Sequence, residues 1–322
     1  MTQLLFDGSY IVGLQATKSY IEFFNNALKK TNLEVIKSVV NAYMNYLLSE
    51  ANIDFIDKNI ENLERTLRET NKLLVNGLTE EEKVEQLKIT LSELNSQRKF
   101  AIQFSQLSKD ILKITLGFGE KEELNLETSL NSIIDSYIFK IPEIDSWDLN
   151  SNIDIKIANN YVEQKRLEYK LEQSKALPKL SSFISAAYTG NSNSFTFNDQ
   201  NQKWFGSALF GVNLEFPIFS SLGRSASSQI AKISYEQSKT KLENTQQQIK
   251  ISVKNAKATY ELAFENFSIK KSNMDLAENI ERKNQTKFSQ GMASSFELRQ
   301  AQKQLFNAQQ NYLESLKNLV SK

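Results

Sequence analysis

Apolar residues recur every three or four positions over two long stretches of the chain. In the first, Ile53, Ile56, Ile60, Leu63, Leu67 and Leu74 keep that spacing, with Thr70 filling one slot. After Gly77 it resumes through Val84, Leu87, Leu91, Leu94 and Ala101. In the second, Ala263, Phe267, Met274, Ala277 and Phe288 run in the same phase, followed after Gly291 by Leu298, Ala301, Leu305, Ala308 and Ser315. A period near 3.5 predicts helices packed side by side in coiled-coil fashion. Taken alone it favours an ordinary antiparallel helical bundle. Length argues for something larger. From Tyr10 to Asn76 there is no Pro and Gly13 is the only Gly; from Arg224 to Gln290 there is neither. Each run holds about 67 residues and at 1.5 Å per residue would span roughly 100 Å, whereas ordinary globular helices end near 20 residues. One Gly follows each run, where a left-handed cap lets the chain reverse. Return helices are expected at roughly Thr79–Leu116 and Ser294–Leu319, so each copy is a long helical hairpin with a tight turn at its tip.

The two copies align without gaps at an offset of 214 residues. Ser38-Val39-Val40-Asn41-Ala42 falls on Ser252-Val253-Lys254-Asn255-Ala256, Asn59 on Asn273, Gly77 on Gly291 and Leu91 on Leu305. Identities are few, and the shared hydrophobic phase carries the repeat.

The stretch between the copies changes period. Pro178 ends a helix expected over about Asn152–Ala176. Leu180, Ser182, Ile184, Ala186 and Tyr188 then alternate with Ser181, Phe183, Ser185, Ala187 and Thr189. A polar loop, Asn191 to Lys203, leads to a second strand. One of its faces holds Trp204, Gly206, Ala208, Phe210, Val212, Leu214 and Phe216. The other holds Phe205, Ser207, Leu209, Gly211, Asn213 and Glu215, and Pro217 closes it. Strands of about 10 to 13 residues have the length that a tilted membrane β-strand needs. Period-two alternation with aromatics at the ends is the pattern of an outer-membrane barrel strand. A soluble amphipathic hairpin lying over a helical core is the alternative. Against it, an isolated hairpin is barely stable in water, and an open sheet edge is not tolerated in lipid. Strands in this number therefore call for further subunits to close a barrel. Trp204, Phe210, Val212, Leu214 and Phe216 are the expected membrane-facing side chains.

Composition removes other classes. The chain of 322 residues has 39 basic and 38 acidic side chains and no Cys or His. A balance this close to neutral leaves no basic footprint for nucleic acid. Without Cys or His there is no disulfide framework, no thiolate chemistry and no zinc site built from those ligands. No run of 18 apolar residues marks a membrane-spanning helix, and no basic segment followed by an apolar stretch marks a signal peptide. Glu80-Glu81-Glu82 sits where a helix begins, and acids there complement the macrodipole. No catalytic constellation, phosphate-binding loop or cofactor motif is visible.

Several short motifs together resemble the TolC-like outer membrane factors. A Pro-terminated helix, a strand, a polar loop, a strand ending in Phe216-Pro217-Ile218-Phe219, then Gly223-Arg224 and a very long helix is similar to the second repeat of that family. Gln3-Leu4-Leu5-Phe6-Asp7-Gly8 is similar to the matching point of its first repeat, and Gly77-Leu78-Thr79 resembles its first tip. Gly291-Met292-Ala293-Ser294-Ser295-Phe296-Glu297-Leu298, followed by Arg299-Gln300-Ala301-Gln302, resembles its second tip.

The resemblance implies a mainly α fold with a membrane β-hairpin: long helical hairpins forming a periplasmic α-barrel, plus strands of a transmembrane β-barrel. Residues 1–150 would be an incomplete first repeat. Residues 151–322 would be the second, with its hairpin at 179–217 and long helical hairpin at 220–320. An equatorial segment is expected at Gly117–Leu149, its apolar patch Ile133–Ile144 forming a satellite core. The chain would begin at the end of a strand of the first repeat, without signal peptide, first helix and most of the first strand pair, as a truncated form of a longer subunit. The resemblance further implies a homotrimer in the outer membrane of a Gram-negative bacterium, extending into the periplasm. It would be a passive exit duct for an efflux pump or type I secretion system, with a periplasmic adaptor protein, an inner-membrane transporter and outer-membrane lipid as partners and no cofactor or metal. Asn76, Gly77, Leu78 and Thr79, with Gln290, Gly291, Met292 and Ser294, would meet the adaptor. Glu297 would face the lumen, three copies making an acidic ring; a solvated first-turn Glu is the alternative. A soluble coiled-coil scaffolding protein is the competing class, and it leaves the strand pair unexplained.

Overall fold

A computed structural model of the chain describes residues 1–119, 122–126, 130–134 and 147–322. Along the chain these form β1 (Thr2–Asp7), α1 (Gly8–Val75), α2 (Glu81–Leu116), the single turn α3 (Leu130–Ile133) and a 3-10 turn (Leu149–Ser151). Then come α4 (Ile153–Ser174), β2 (Lys179–Gly190), β3 (Trp204–Glu215), α5 (Gly223–Ser289) and α6 (Ser295–Val320). The fold is mainly helical with one small sheet. With no internal Pro to remove a backbone donor, α1 and α5 continue for 68 and 67 residues. Asp7 starts α1 earlier than the periodicity indicates, its Oδ1 accepting the Ser9 N–H at 2.7 Å. Asn152 does the same for α4, accepting from the N–H groups of Asp154 and Ile155. The return helix α2 begins at Glu81 rather than at Thr79, which stays in the turn. Among the described residues no helix is long and apolar enough to cross a membrane.

Two compact units divide the chain. The first comprises residues 1–31 and 148–250 and holds the sheet, in the order β1-β2-β3 with antiparallel neighbours. Its helical segments are joined by polar contacts. Asn26 Nδ2 donates to Asn160 Oδ1 at 2.7 Å in a buried amide pair, and Lys30 Nζ lies 2.8 Å from Asp154 Oδ1. Lys241 of α5 stands over the Tyr161 ring of α4 at 5.4 Å.

The second unit comprises residues 32–147 and 251–322. Its larger core joins Met44, Leu47 and Leu48 of α1, Phe267 of α5, and Tyr312, Leu313, Leu316 and Leu319 of α6. Leu130 and Ile134 pack into this core and Ile133 against it, while the rest of the expected patch, residues 135–144, lies outside the described residues. A smaller core gathers Leu63, Leu87 and Leu94, with Phe306 against them. Burial coincides at several positions 214 residues apart. Leu63 and Ala277 are both buried, as are Val84 and Leu298, Leu87 and Ala301, and Ala101 and Ser315, each pair separated by the same offset.

Candidate functional site

Two features of the fold hold the candidate site residues, the β2–β3 hairpin and the tips of the helical hairpins. The strands pair in perfect two-residue phase. Leu180 faces Leu214, Ser182 faces Val212, Ile184 faces Phe210, Ala186 faces Ala208, Tyr188 faces Gly206 and Gly190 faces Trp204. Because side chains alternate faces, these pairs share one side of the sheet. Phe6 of β1 extends it beside Leu180, after a bulge between Leu4 and Phe6. The opposite side takes Lys179, Ser181, Ser185, Thr189, Ser207, Asn213 and Glu215, with Phe183, Phe205 and Leu209 as its large apolar members. Phe183 lies across Gly211, where an added Cβ would fall 2.5 Å from its ring, so any larger residue there would have to displace the ring.

The apolar face is bare. Ile184, Phe210, Val212 and Leu214 are 56%, 67%, 56% and 65% exposed. A contiguous apolar surface of this kind marks an interface with lipid or protein. At the loop end, Trp204 meets Phe197 edge to face at 5.8 Å, with Tyr188, Phe195 and Phe205 exposed around them. At the other end Phe216, Ile218 and Phe219 are exposed. Phe216 stands one residue beyond β3. The ladder ends at the Lys179–Glu215 pair because the next residue of the other strand is Pro178, which has no N–H to donate.

Both tips turn on one backbone device. Gly77 has φ +70° and Gly291 φ +73°. At the first, the Gly77 N–H donates to the Leu74 carbonyl at 2.9 Å and the Leu78 N–H to Leu73 at 2.9 Å. At the second, Gly291 donates to Phe288 at 3.0 Å and Met292 to Lys287 at 2.8 Å. These are Schellman motifs, which satisfy the last carbonyls of α1 and α5. The apolar residue after each glycine normally packs back on its helix. Here Leu78 and Met292 are instead 72% and 68% exposed. Asn76 and Gln290 are exposed beside them, and Thr79 is half-buried.

Glu297 is occupied at the start of α6. Its Oε2 accepts the Ser294 N–H at 2.7 Å and the Ser294 hydroxyl at 2.9 Å, while Ser294 Oγ accepts the Glu297 N–H at 3.2 Å. This capping box holds the Glu297 carboxyl below the usual carboxylate range, through the Ser294 backbone and hydroxyl bonds first. The Ser-x-x-Glu spacing of Ser294 and Glu297 is a sequence signature of the box, and it gives the first-turn reading of Glu297 a specific partner.

A second acid had no such signal. Glu281 of α5 is 8% exposed, and burial pushes its carboxyl up against the opposing pull of Arg65. Nearby, Gln285 Nε2 donates to Thr66 Oγ1 at 2.6 Å, linking α5 to α1. Among the described residues no group of three or more acids is placed to hold a metal ion.

Comparisons with known proteins agree with this geometry. The chain is similar in fold to outer membrane protein VceC of Vibrio cholerae, with TM-score 0.73 and 16% identity, covering 99% of this chain and 75% of that one. It is similar to the CmeC outer membrane channel of Campylobacter jejuni, with TM-score 0.71 and 15% identity over 99% and 68% of the two chains. The open-state MtrE outer membrane channel of Neisseria gonorrhoeae gives TM-score 0.71 and 16% identity over 98% and 70%. No curated protein matches the chain in sequence. The family model described as outer membrane efflux protein matches residues 148–321. More than half of the sequence carries that match, and the family and its TolC-like structural neighbours are channels rather than enzymes. The chain belongs to the outer membrane efflux protein family.

Proposed function

We propose that the chain is the channel subunit of a tripartite efflux pump or type I secretion system, a passive duct through which solutes leave the cell. One observation carries this reading. The β2–β3 register gathers Ile184, Phe210, Val212 and Leu214 on one exposed face, and the same polypeptide carries helical hairpins too long for a globular core. In the reading, residues 1–150 and 151–322 are two structural repeats. Trp204, Phe210, Val212, Leu214 and Phe216 face outer-membrane lipid. Strands from three copies close a barrel, which removes the open edges that β1 and β3 present. The helical hairpins reach into the periplasm of a Gram-negative cell.

The tips meet a periplasmic adaptor, which links the duct to an inner-membrane transporter that supplies the energy. Asn76, Gly77, Leu78, Thr79, Gln290, Gly291, Met292 and Ser294 make that contact. The unpacked Leu78 and Met292 side chains support it, because a helical hairpin of a partner can cover them. Glu297 serves the lumen as well as the cap. Both carboxylate bonds to Ser294 run through Oε2, and its lowered pKa keeps the charge in place, so three copies form an acidic ring favouring cations.

Reconstitution into planar bilayers tests the reading. Discrete conductance steps are expected, from a detergent-dependent oligomer, with Glu297→Ala channels less selective for cations. A monomer that stays soluble without detergent and conducts nothing would instead support the coiled-coil scaffold.

A further inference from the structure

A buried acceptor on α5 lacks a donor, and a buried acid stands one turn away from it. Gln285 of α5 reaches across to α1. Its Nε2 donates to Thr66 Oγ1 at 2.6 Å, and the Thr66 hydroxyl donates in turn to the Asn62 carbonyl at 2.9 Å. With its proton committed to Asn62, the Thr66 oxygen can only accept from Gln285. That fixes the orientation of the amide, with Nε2 toward α1 and Oε1 away from Thr66. Oε1 is buried and, among the described residues, meets no donor. Buried polar atoms in native structures are nearly always paired, because an unmade bond there is not replaced by water.

Glu281 lies one turn earlier on the same helix. Residues four apart share a face, and helical side chains lean toward the N-terminus, so the Gln285 amide reaches back over the turn that carries Glu281. Glu281 is buried and, among the described residues, makes no hydrogen bond or ion pair. The residue 214 positions earlier is Leu67, which packs against the small core of Leu63, Leu87 and Leu94. An acid therefore occupies a slot that is apolar at the matching position. Two charged groups act on it. Arg65 of α1 attracts the carboxylate without pairing with it, being exposed and donating to Asn62 Oδ1 at 3.1 Å. Glu278 of α5 itself repels it. Among the described residues α6, the other helix of its hairpin, brings no charge to bear on it.

A carboxylate and the Gln285 oxygen are both acceptors and cannot satisfy each other, whereas a neutral carboxyl carries the donor that the oxygen lacks. We propose that Glu281 is a proton-binding site whose O–H is donated to Gln285 Oε1, completing a relay from Glu281 through Gln285 and Thr66 to the Asn62 carbonyl that fastens α5 to α1 only while the proton is bound. Burial, the largest influence on this carboxyl, pushes its pKa up and so favours the bound proton. On release the proton passes to water, the carboxylate is drawn toward Arg65, and the Gln285 amide loses the neighbour that holds it against Thr66. The relay lies within one chain and stands apart from the channel reading. Glu281 and Thr66 come about three turns before Gly291 and Gly77, so the proton fastens the ends of α5 and α1 that carry the tips.

Infrared titration of the full chain in detergent reads the proton directly. In the wild-type protein one component of the protonated-carboxyl band should persist above the pH at which the other carboxyls ionise, and Glu281→Gln should remove it. Gln285→Met keeps volume and burial but replaces the amide oxygen by a weakly accepting sulfur. It should raise the stretching frequency of that component and move its titration toward the ordinary Glu value. Hydrogen exchange reads the far end of the relay. Protection over Asn62–Thr66, corrected for the intrinsic pH dependence of exchange, should fall in wild type as the component disappears. It should stay constant with pH in Glu281→Gln, whose amide still donates. A component that survives Glu281→Gln, or one that Gln285→Met leaves unmoved, would overturn the relay. Should Gln285→Met not fold, Thr66→Val cuts the relay one step further on, and is expected to keep the carboxyl component while its link to exchange in α1 is lost. Exchange that still follows the component as strongly as in wild type would overturn the proposal.

Discussion

At the first tip, Gly77 caps α1 and the chain reaches α2 behind Glu80, whose side chain makes no bond to the helix start. At the second, Gly291 caps α5 in the same way, but Ser294 and Glu297 then close a reciprocal box on α6. The two tips therefore end their descending helices identically and begin their returning helices differently. One turn is held at both ends and the other at one. A partner docking on both meets a firmer surface at Gly291 than at Gly77.

The largest effect should come from the shared device. Valine at either glycine would be forced into the left-handed region, which costs about 1–2 kcal/mol even before β-branching is counted. Gly77→Val and Gly291→Val are expected to expose the last turn of α1 or α5 to hydrogen exchange to a similar degree. On the proposed function, both should also reduce solute export and cross-linking to an adaptor. If only one tip responds, the caps are not equivalent; unchanged export and cross-linking in both would remove the tips from the docking site.

A smaller effect should separate the tips. Ser294→Ala removes an N-cap, a loss of about 1 kcal/mol. Glu80→Ala removes no cap bond and should stay within about 0.5 kcal/mol. Exchange at the first turn of α6 should accelerate in Ser294→Ala, while that of α2 stays near the wild-type rate in Glu80→Ala. Equal acceleration would mean that the box contributes nothing particular.

The smallest effect is a pH dependence of opposite sign at two acids. Glu297 has its folded pKa lowered, so its contribution is present above the unfolded value of about 4.3 and is lost as pH falls through the folded pKa. The second tip should thus loosen in acid, and Ser294→Ala should remove that response. Glu281 has its folded pKa raised, so the chain is stabilised by protonating it. That gain is full below the unfolded value and disappears as pH rises through the folded one. Glu281→Gln should therefore raise thermal stability at neutral pH and flatten its pH profile. A Glu281→Gln chain less stable at neutral pH would show that the Arg65 attraction outweighs burial.

Much of this architecture is legible in the sequence because two periods differ so sharply. The long runs without Pro announce α1 and α5, and alternation from Leu180 to Tyr188 and from Trp204 to Leu214 announces the strand pair with its apolar face. Gly77 and Gly291 are legible as turns because few other residues tolerate positive φ. Long-range partners are not. Nothing local tells Asn59 to seek Gln309 or places Ser105 against Glu50. Such pairings depend on how helices rotate about their axes, to which an apolar period is only coarsely sensitive. Glu281 reads as a surface acid for the same reason, and the bulge between Leu4 and Phe6 depends on the pairing with β2 rather than on its own residues.

The central claim is that the β2–β3 hairpin sits in lipid on one face while the helices stand in water, and the strand itself offers the most direct test. Single cysteines placed along residues 204–215 in this Cys-free chain, each labelled with a fluorophore, are reconstituted into phosphatidylcholine vesicles with and without brominated lipid. The account predicts strong quenching at Trp204, Ala208, Phe210, Val212 and Leu214, alternating with weak quenching at Ser207, Asn213 and Glu215. Quenching that is absent throughout, or uniform along the strand, would contradict it.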